Sequence, residues 1–252
     1  MDVLPIWPNK KKFKNKVLPD NFRLLIIGSS GCGKNVLLMR MLLVPEFLDY
    51  DNLLFYSTTI QQFEIQLLKH GFENKLSKQD LLYIYNHHSI IPDYIDTPLE
   101  IIKWFIKKQY IVPSVKQEIE ITLSSKSSDL IYCDALPKDR KNLIIFDDVV
   151  NEKNQNIQKS YFTRGRHNNC NVIYISQTYY QLDKNSIRGN ANCFVFFKLG
   201  KSDRDHVYPD LFYGIFEDKV EFTQTVNHHW KTKYNYFYLD KENETMTDDL
   251  FT

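Results

Sequence analysis

An apolar run that stops at Gly28-Ser29-Ser30-Gly31-Cys32-Gly33-Lys34-Asn35 and resumes as a helical pattern leaves this chain few folds to choose from. Residues 22–27 are short, apolar and end on a glycine, as a buried parallel strand does. A helix is predicted from about Gly33 through Val36, Leu37, Leu38, Met39, Met41 and Leu42, with Pro45 closing it. The pattern GxxxxGK between strand and helix is a phosphate-binding loop. Its glycines let backbone N–H groups curl around phosphate oxygens, the helix N-terminus adds partial positive charge, and Lys34 adds a mobile one. The chain is therefore expected to bind a nucleoside triphosphate. Asn35 stands where Ser or Thr usually offers a hydroxyl to Mg²⁺. Its amide oxygen can ligate a hard cation, but from one atom farther out.

The rest of the sequence extends the same pattern. A second strand is predicted at 52–57, and further apolar runs lie at 143–146, 172–176 and 193–199. An alternating run at 234–239 reads as an edge strand. This is an α/β P-loop NTPase pattern: a doubly wound, mainly parallel sheet flanked by helices. Residues 21–252 are expected to form one ATPase domain, with a helical insertion at about 58–140. Within it, Ser77 with Asp80 and Thr97 with Glu100 read as capping boxes, the second with Pro98 at the first helical position. Gly71 is expected to end the helix carrying Ile65, Leu67 and Leu68. Residues 111–140, which include Ser124, Ser125, Ser127 and Ser128 and show no sustained period, read as loop.

Residues 1–20 form a basic arm in which Lys10, Lys11, Lys12, Lys14 and Lys16 cluster around Phe13. It is either a solvated tail or a contact to a phosphate backbone. The net charge of +1 gives no global field to attract nucleic acid, so such binding would be local. Cys32, Cys133, Cys170 and Cys193 are scattered without a CxxC pair, which argues against a zinc site or a disulfide framework. No apolar run reaches the roughly 20 residues needed to span a bilayer. An intracellular protein with no membrane contact is expected.

Chemistry is concentrated in three further blocks. The run Leu143-Ile144-Ile145-Phe146 ends in Asp147-Asp148. Asp147 is assigned to Mg²⁺ and Asp148 to the attacking water. Capping of the following turn is the plainer alternative for Asp148. Gln177 ends the strand 172–176, which is expected to lie between the two motif strands, where an amide could sense the γ-phosphate; plain strand-end capping is the alternative. Arg164 and Arg166, in Thr163-Arg164-Gly165-Arg166-His167, could stabilise transition-state charge in the same subunit or a neighbour's. They could equally be surface or DNA-contacting residues, and Arg188 is a third candidate. The pairs His87-His88 and His228-His229 lack a ligand pattern and read as solvated. The aromatic residues, spread through apolar segments, read as core.

With these blocks in place the chain resembles the poxvirus-type genome-packaging ATPases of the FtsK–HerA group, found in large DNA viruses, virophages and Polinton-like elements. The resemblance rests on the loop at 28–35, Ile144-Ile145-Phe146-Asp147-Asp148, Phe162-Thr163-Arg164-Gly165-Arg166-His167, Ile175-Ser176-Gln177-Thr178-Tyr179-Tyr180 and Ile187-Arg188-Gly189-Asn190-Ala191-Asn192. It covers about residues 18–200. It implies a homo-oligomeric ring that couples ATP hydrolysis to moving double-stranded DNA into a capsid, alongside capsid or portal proteins, in host cytoplasm or nucleus. Lys34 would bind phosphate, Asp147 would hold Mg²⁺, Asp148 would activate water, Gln177 would be the sensor, and Arg164 or Arg166 the finger. Asn35 departs from the family's Ser or Thr, which leaves a second reading: a nucleotide-binding assembly module with impaired hydrolysis. A small-molecule kinase is a poorer match to the Asp-Asp, Gln and arginine blocks.

Overall fold

The computed structural model describes residues 18–113 and 119–251. The lysine cluster of the arm lies outside them. Eight strands form one sheet in the order β3-β2-β4-β5-β1-β6-β7-β8. They are β1 (Arg23–Ile27), β2 (Asn52–Ser57), β3 (Glu120–Ser124), β4 (Asn142–Asp147), β5 (Cys170–Ser176), β6 (Cys193–Phe196), β7 (Phe237–Asp240) and β8 (Thr245–Thr247). The first six run parallel, and β7 and β8 add an antiparallel edge.

Strand alternation sorts the core into two layers. Leu24, Ile26, Leu143, Ile145, Ile173 and Ile175 point to the face covered by α1 (Lys34–Leu43), α2 (Phe63–Glu73), α3 (Lys78–His87) and α4 (Pro98–Lys107). Their neighbours Leu25, Ile27, Ile144, Phe146, Val172 and Tyr174 point to the other face, under α5 (Asn156–Arg164), α6 (Lys201–Val207) and α7 (Lys219–His229). Both faces of the central strands are buried, so these strands read as continuous apolar runs. The strand 172–176 does separate the loop strand β1 from the Asp-Asp strand β4.

Three expectations are corrected. Residues 111–140 are not all loop: Glu120–Ser124 pairs in parallel with β2 as the far edge strand. Tyr234–Leu239 does not form the opposite edge, because Thr245–Thr247 pairs outside it. Gly71 does not end α2. The helix closes two residues later, with Lys75 in the left-handed conformation (φ 60°) and the amides of Lys75 and Leu76 donating to Phe72 O and Gly71 O. That is the terminating geometry expected of a glycine, supplied here by a lysine.

Gly71 has another reason to lack a side chain. A Cβ there would stand 2.2 Å from Cδ2 of Leu81, which is fully buried on α3. Gly71→Ala should therefore lower stability by about 1–2 kcal/mol despite alanine's better helix propensity, because the overpacking term exceeds the propensity gain. A denaturant melt checks this, and a stabilised variant would refute it.

Ser77 and Asp80 form the full capping box. The Ser77 hydroxyl oxygen accepts from Asp80 N at 3.1 Å, and Asp80 Oδ2 accepts from Ser77 N at 3.0 Å. Thr97 caps α4 from Pro98 onward by accepting from Glu100 N.

Candidate active site

The parallel strands all deliver their C-terminal ends to one edge of the sheet, and the phosphate-binding loop leaves β1 there. Gly33 sits at φ 107°, a conformation that only glycine adopts without strain. Gly28 is excluded from bearing a side chain by space: a Cβ would lie 2.6 Å from Phe197 Cβ and 2.7 Å from Cys32 Sγ. Lys34 Nζ donates to Gly28 O at 2.6 Å and Ser29 O at 2.8 Å, which holds the ammonium against the loop. Burial raises the Cys32 thiol pKa even with Lys34 alongside.

A cavity of about 660 Å³ joins the loop to the ends of β4 and β5. Ser30, Gly31, Gly33, Lys34, Asn35, Asp147, Asp148 and Gln177 all line it. Asp147 is 7% exposed, and its Oδ2 accepts from Ser57 Oγ at 3.2 Å. Burial raises its pKa, adjacent Asp148 raises it further, and the Ser57 hydrogen bond and Lys34 act the other way. Asp148 has φ 52°, a left-handed backbone that aspartate tolerates better than most residues. It turns its carboxylate to Gln177, whose Nε2 donates to Oδ2 at 3.0 Å. Strain of this kind clusters where a side chain must be aimed.

The groups between Asn35 and Asp147 carry no recognisable local pattern. Asn35 Nδ2 donates to Gln62 Oε1 at 3.3 Å, and Gln62 Nε2 donates to Thr59 Oγ1 at 2.7 Å. Thr59 Oγ1 lies 3.1 Å from Ser57 Oγ, which donates to Asp147. A continuous hydrogen-bonded chain thus spans the gap from α1 to the end of β4 by way of the β2–α2 connection. These oxygens suit Mg²⁺, a hard cation that prefers carboxylate, hydroxyl and amide oxygen. The Asp147 carboxylate, its pKa raised by burial, is where a cation would be most favourable.

The arginines are elsewhere. Arg164 ends α5 and Arg166 follows in a 3₁₀ turn, both before β5 begins. They lie at the N-terminal end of a seven-residue strand, about 20 Å of sheet from the loop, and neither lines its cavity. Arg164 pairs with Asp134 at 2.9 Å on the surface. A role for either arginine in its own subunit's cavity is therefore corrected. Arg188 is buried, ion-paired with Asp210 at 2.9 Å and stacked over Tyr179, so its charge is used inside the fold. Among the described residues no cluster of His, Cys, Asp and Glu suits a metal, and no helix is long and apolar enough to cross a membrane.

The fold has known counterparts. Genome packaging NTPase B204 from Sulfolobus turreted icosahedral virus 2, solved with AMPPCP, is 10% identical, with a TM-score of 0.51 over 91% of this chain and 97% of that one. B204, the DNA-packaging ATPase from Sulfolobus turreted icosahedral virus, is 12% identical, with a TM-score of 0.50 over 91% and 96%. The bacterial conjugative coupling protein TrwBdeltaN70 is 11% identical, with a TM-score of 0.53 over 96% and 90%. At these identities the likeness is one of fold. No curated protein matches the sequence. A family model described as poxvirus A32 protein matches residues 9–227, ending before Tyr234 and Tyr236. With its nucleotide loop, Asp-Asp strand and intervening Gln-ended strand in one sheet, the chain belongs to the poxvirus A32 protein family and is a P-loop NTPase.

Proposed function

We propose that this chain hydrolyses ATP to drive double-stranded DNA into a capsid, working as one subunit of a homo-oligomeric ring. The observation that carries the chemical half is the convergence of Lys34, Asp147, Asp148 and Gln177 on one cavity. The DNA half, with capsid or portal proteins as partners, rests on family membership.

In this reading Lys34 exchanges its two loop carbonyls for phosphate oxygens. Asp147 and Asn35, with the hydroxyls of Ser57 and Thr59 close by, hold Mg²⁺, which when bound supplies charge neutralisation on the phosphates. Asp148 Oδ1 takes a proton from the attacking water, while Oδ2 stays fixed by Gln177. Loss of the γ-phosphate frees Gln177 to rearrange and report it. Arg164 and Arg166, remote from their own cavity, serve a neighbouring subunit's.

Asn35 favours the second reading, a module that binds nucleotide and turns over poorly. The hydroxyls beside Asp147 argue against it, because Asn35 is not the only oxygen donor near that carboxylate. Purified protein assayed with Mg²⁺ and ATP, with and without double-stranded DNA, is expected to turn over and to be stimulated by DNA. Asn35→Thr should raise turnover by no more than about tenfold, the range usual for retuned metal surroundings. A silent wild type beside an active Asn35→Thr would replace the motor with the assembly module.

A further inference from the structure

The cavity extends past the phosphate loop on the side away from the carboxylates. Asp147, Asp148 and Gln177 sit over β4 and β5, on one side of β1, so a triphosphate with its γ-end there must point its other end over β6 and β7. That side is lined by Phe197, just after β6, and by Tyr234 and Tyr236, just before β7. Val36, on the first turn of α1, joins them and is 52% exposed although apolar.

Tyr234 is the unusual member. Its ring edge lies at the last glycine of the loop, 3.5 Å from where a Gly33 Cβ would be. It is 55% exposed, and its backbone is left-handed at φ 71°, a costly conformation for an aromatic residue. The surrounding turn enforces it: Asn235 N donates to Thr232 O at 3.3 Å and Asn235 Nδ2 to His229 O at 3.1 Å. Tyr236 is fixed beside it, its hydroxyl accepting from Leu250 N at 3.2 Å and its ring 5.4 Å from that of Phe197. Lys233 Nζ lies 4.7 Å from the Tyr234 ring centre. A half-exposed aromatic held in strain at the rim of a phosphate site suits a flat ligand joined to the phosphates.

We propose that Tyr234 is the stacking platform for the nucleobase of the bound nucleoside triphosphate, with Phe197, Tyr236 and Val36 completing an apolar base subsite. The C-terminal segment beyond the family match would then hold the base, while the loop holds the phosphates. This rests on the nucleotide reading above, and the test separates the two.

The full chain is titrated calorimetrically with Mg²⁺-ATP and with Mg²⁺-tripolyphosphate, which has phosphates and no base. Wild type is expected to bind both. Tyr234→Ala should weaken ATP about tenfold and leave tripolyphosphate unchanged, while Tyr234→Phe keeps ATP affinity within about twofold of wild type. Lys34→Ala should weaken both ligands. Equal weakening of both ligands by Tyr234→Ala, or unchanged ATP affinity, overturns the base subsite while leaving the phosphate site intact. A wild type that binds neither ligand overturns the nucleotide reading, and the base subsite with it.

Discussion

Lys34→Ala is expected to lower ATP affinity and turnover by at least about a hundredfold each, the scale of losing charge-assisted hydrogen bonds to a phosphate. The side chain's hydrogen bonds to Gly28 O and Ser29 O stay within the loop. Its removal should leave the melting temperature within about 2 °C of wild type, since neither bond ties the loop to the core. Fluorescent-nucleotide binding, a turnover assay and a thermal melt on the same preparation check all three statements. Turnover that survives Lys34→Ala would remove the loop from the chemistry altogether.

The second large effect sets stability against activity at Asp147. Burial holds its pKa above the ordinary carboxylate range. A group raised in this way contributes its stability fully below its unfolded pKa, and loses that contribution as pH rises through the raised value. At pH 7 the folded chain therefore carries an unfavourable buried charge, which Asp147→Asn removes. The nucleotide-free variant should be more stable and melt higher than wild type at pH 7. The gap should close as pH falls toward the ordinary carboxylate range. Turnover should drop at least about a hundredfold, because a neutral amide no longer anchors the cation. Mg²⁺-ATP should raise the melting point of wild type much more than that of the variant. A variant that melts below wild type at pH 7 without nucleotide would contradict the assigned electrostatics.

The central strands and the phosphate loop were legible in the sequence for one physical reason. Strands buried on both faces must be apolar throughout, and a loop that wraps phosphate must carry glycine at fixed positions. Edge elements lack such a requirement. In Glu120-Ile121-Thr122-Leu123-Ser124 the burial alternates along a strand with one neighbour, and in a serine-rich context it resembles a loop. Thr245-Met246-Thr247 is too short for any period to show. The end of α2 was misread because glycine is the usual left-handed residue, whereas here Lys75 takes that place and Gly71 answers to the bulk of Leu81.

Lys34, Asp147, Asp148 and Gln177, which line one cavity, were singled out in the sequence because each ends or follows a recognisable strand. Ser57, Thr59 and Gln62 were not, since their importance comes from β2 lying beside β4, a neighbourhood set by sheet order and invisible in local pattern. Arg188 looked as available as Arg164 in sequence. Only packing against Tyr179 and Asp210 distinguishes the buried structural charge of Arg188 from the surface ion pair of Arg164.

The separation of Arg164 and Arg166 from the loop constrains how copies of the chain can meet. One end of the parallel strands carries the cavity and the other carries the arginines, so the two surfaces are different patches of the same molecule. A two-fold axis can join each cavity to the other copy's arginines only if both patches lie on one shared face, each pairing reciprocally with the other. If the two patches lie on opposite faces and the arginines of one copy reach the cavity of the next, the contact is heterologous, running head to tail around the assembly. Such a contact has no built-in stopping point. It closes when the rotation per subunit divides a full turn, and it otherwise winds into a filament.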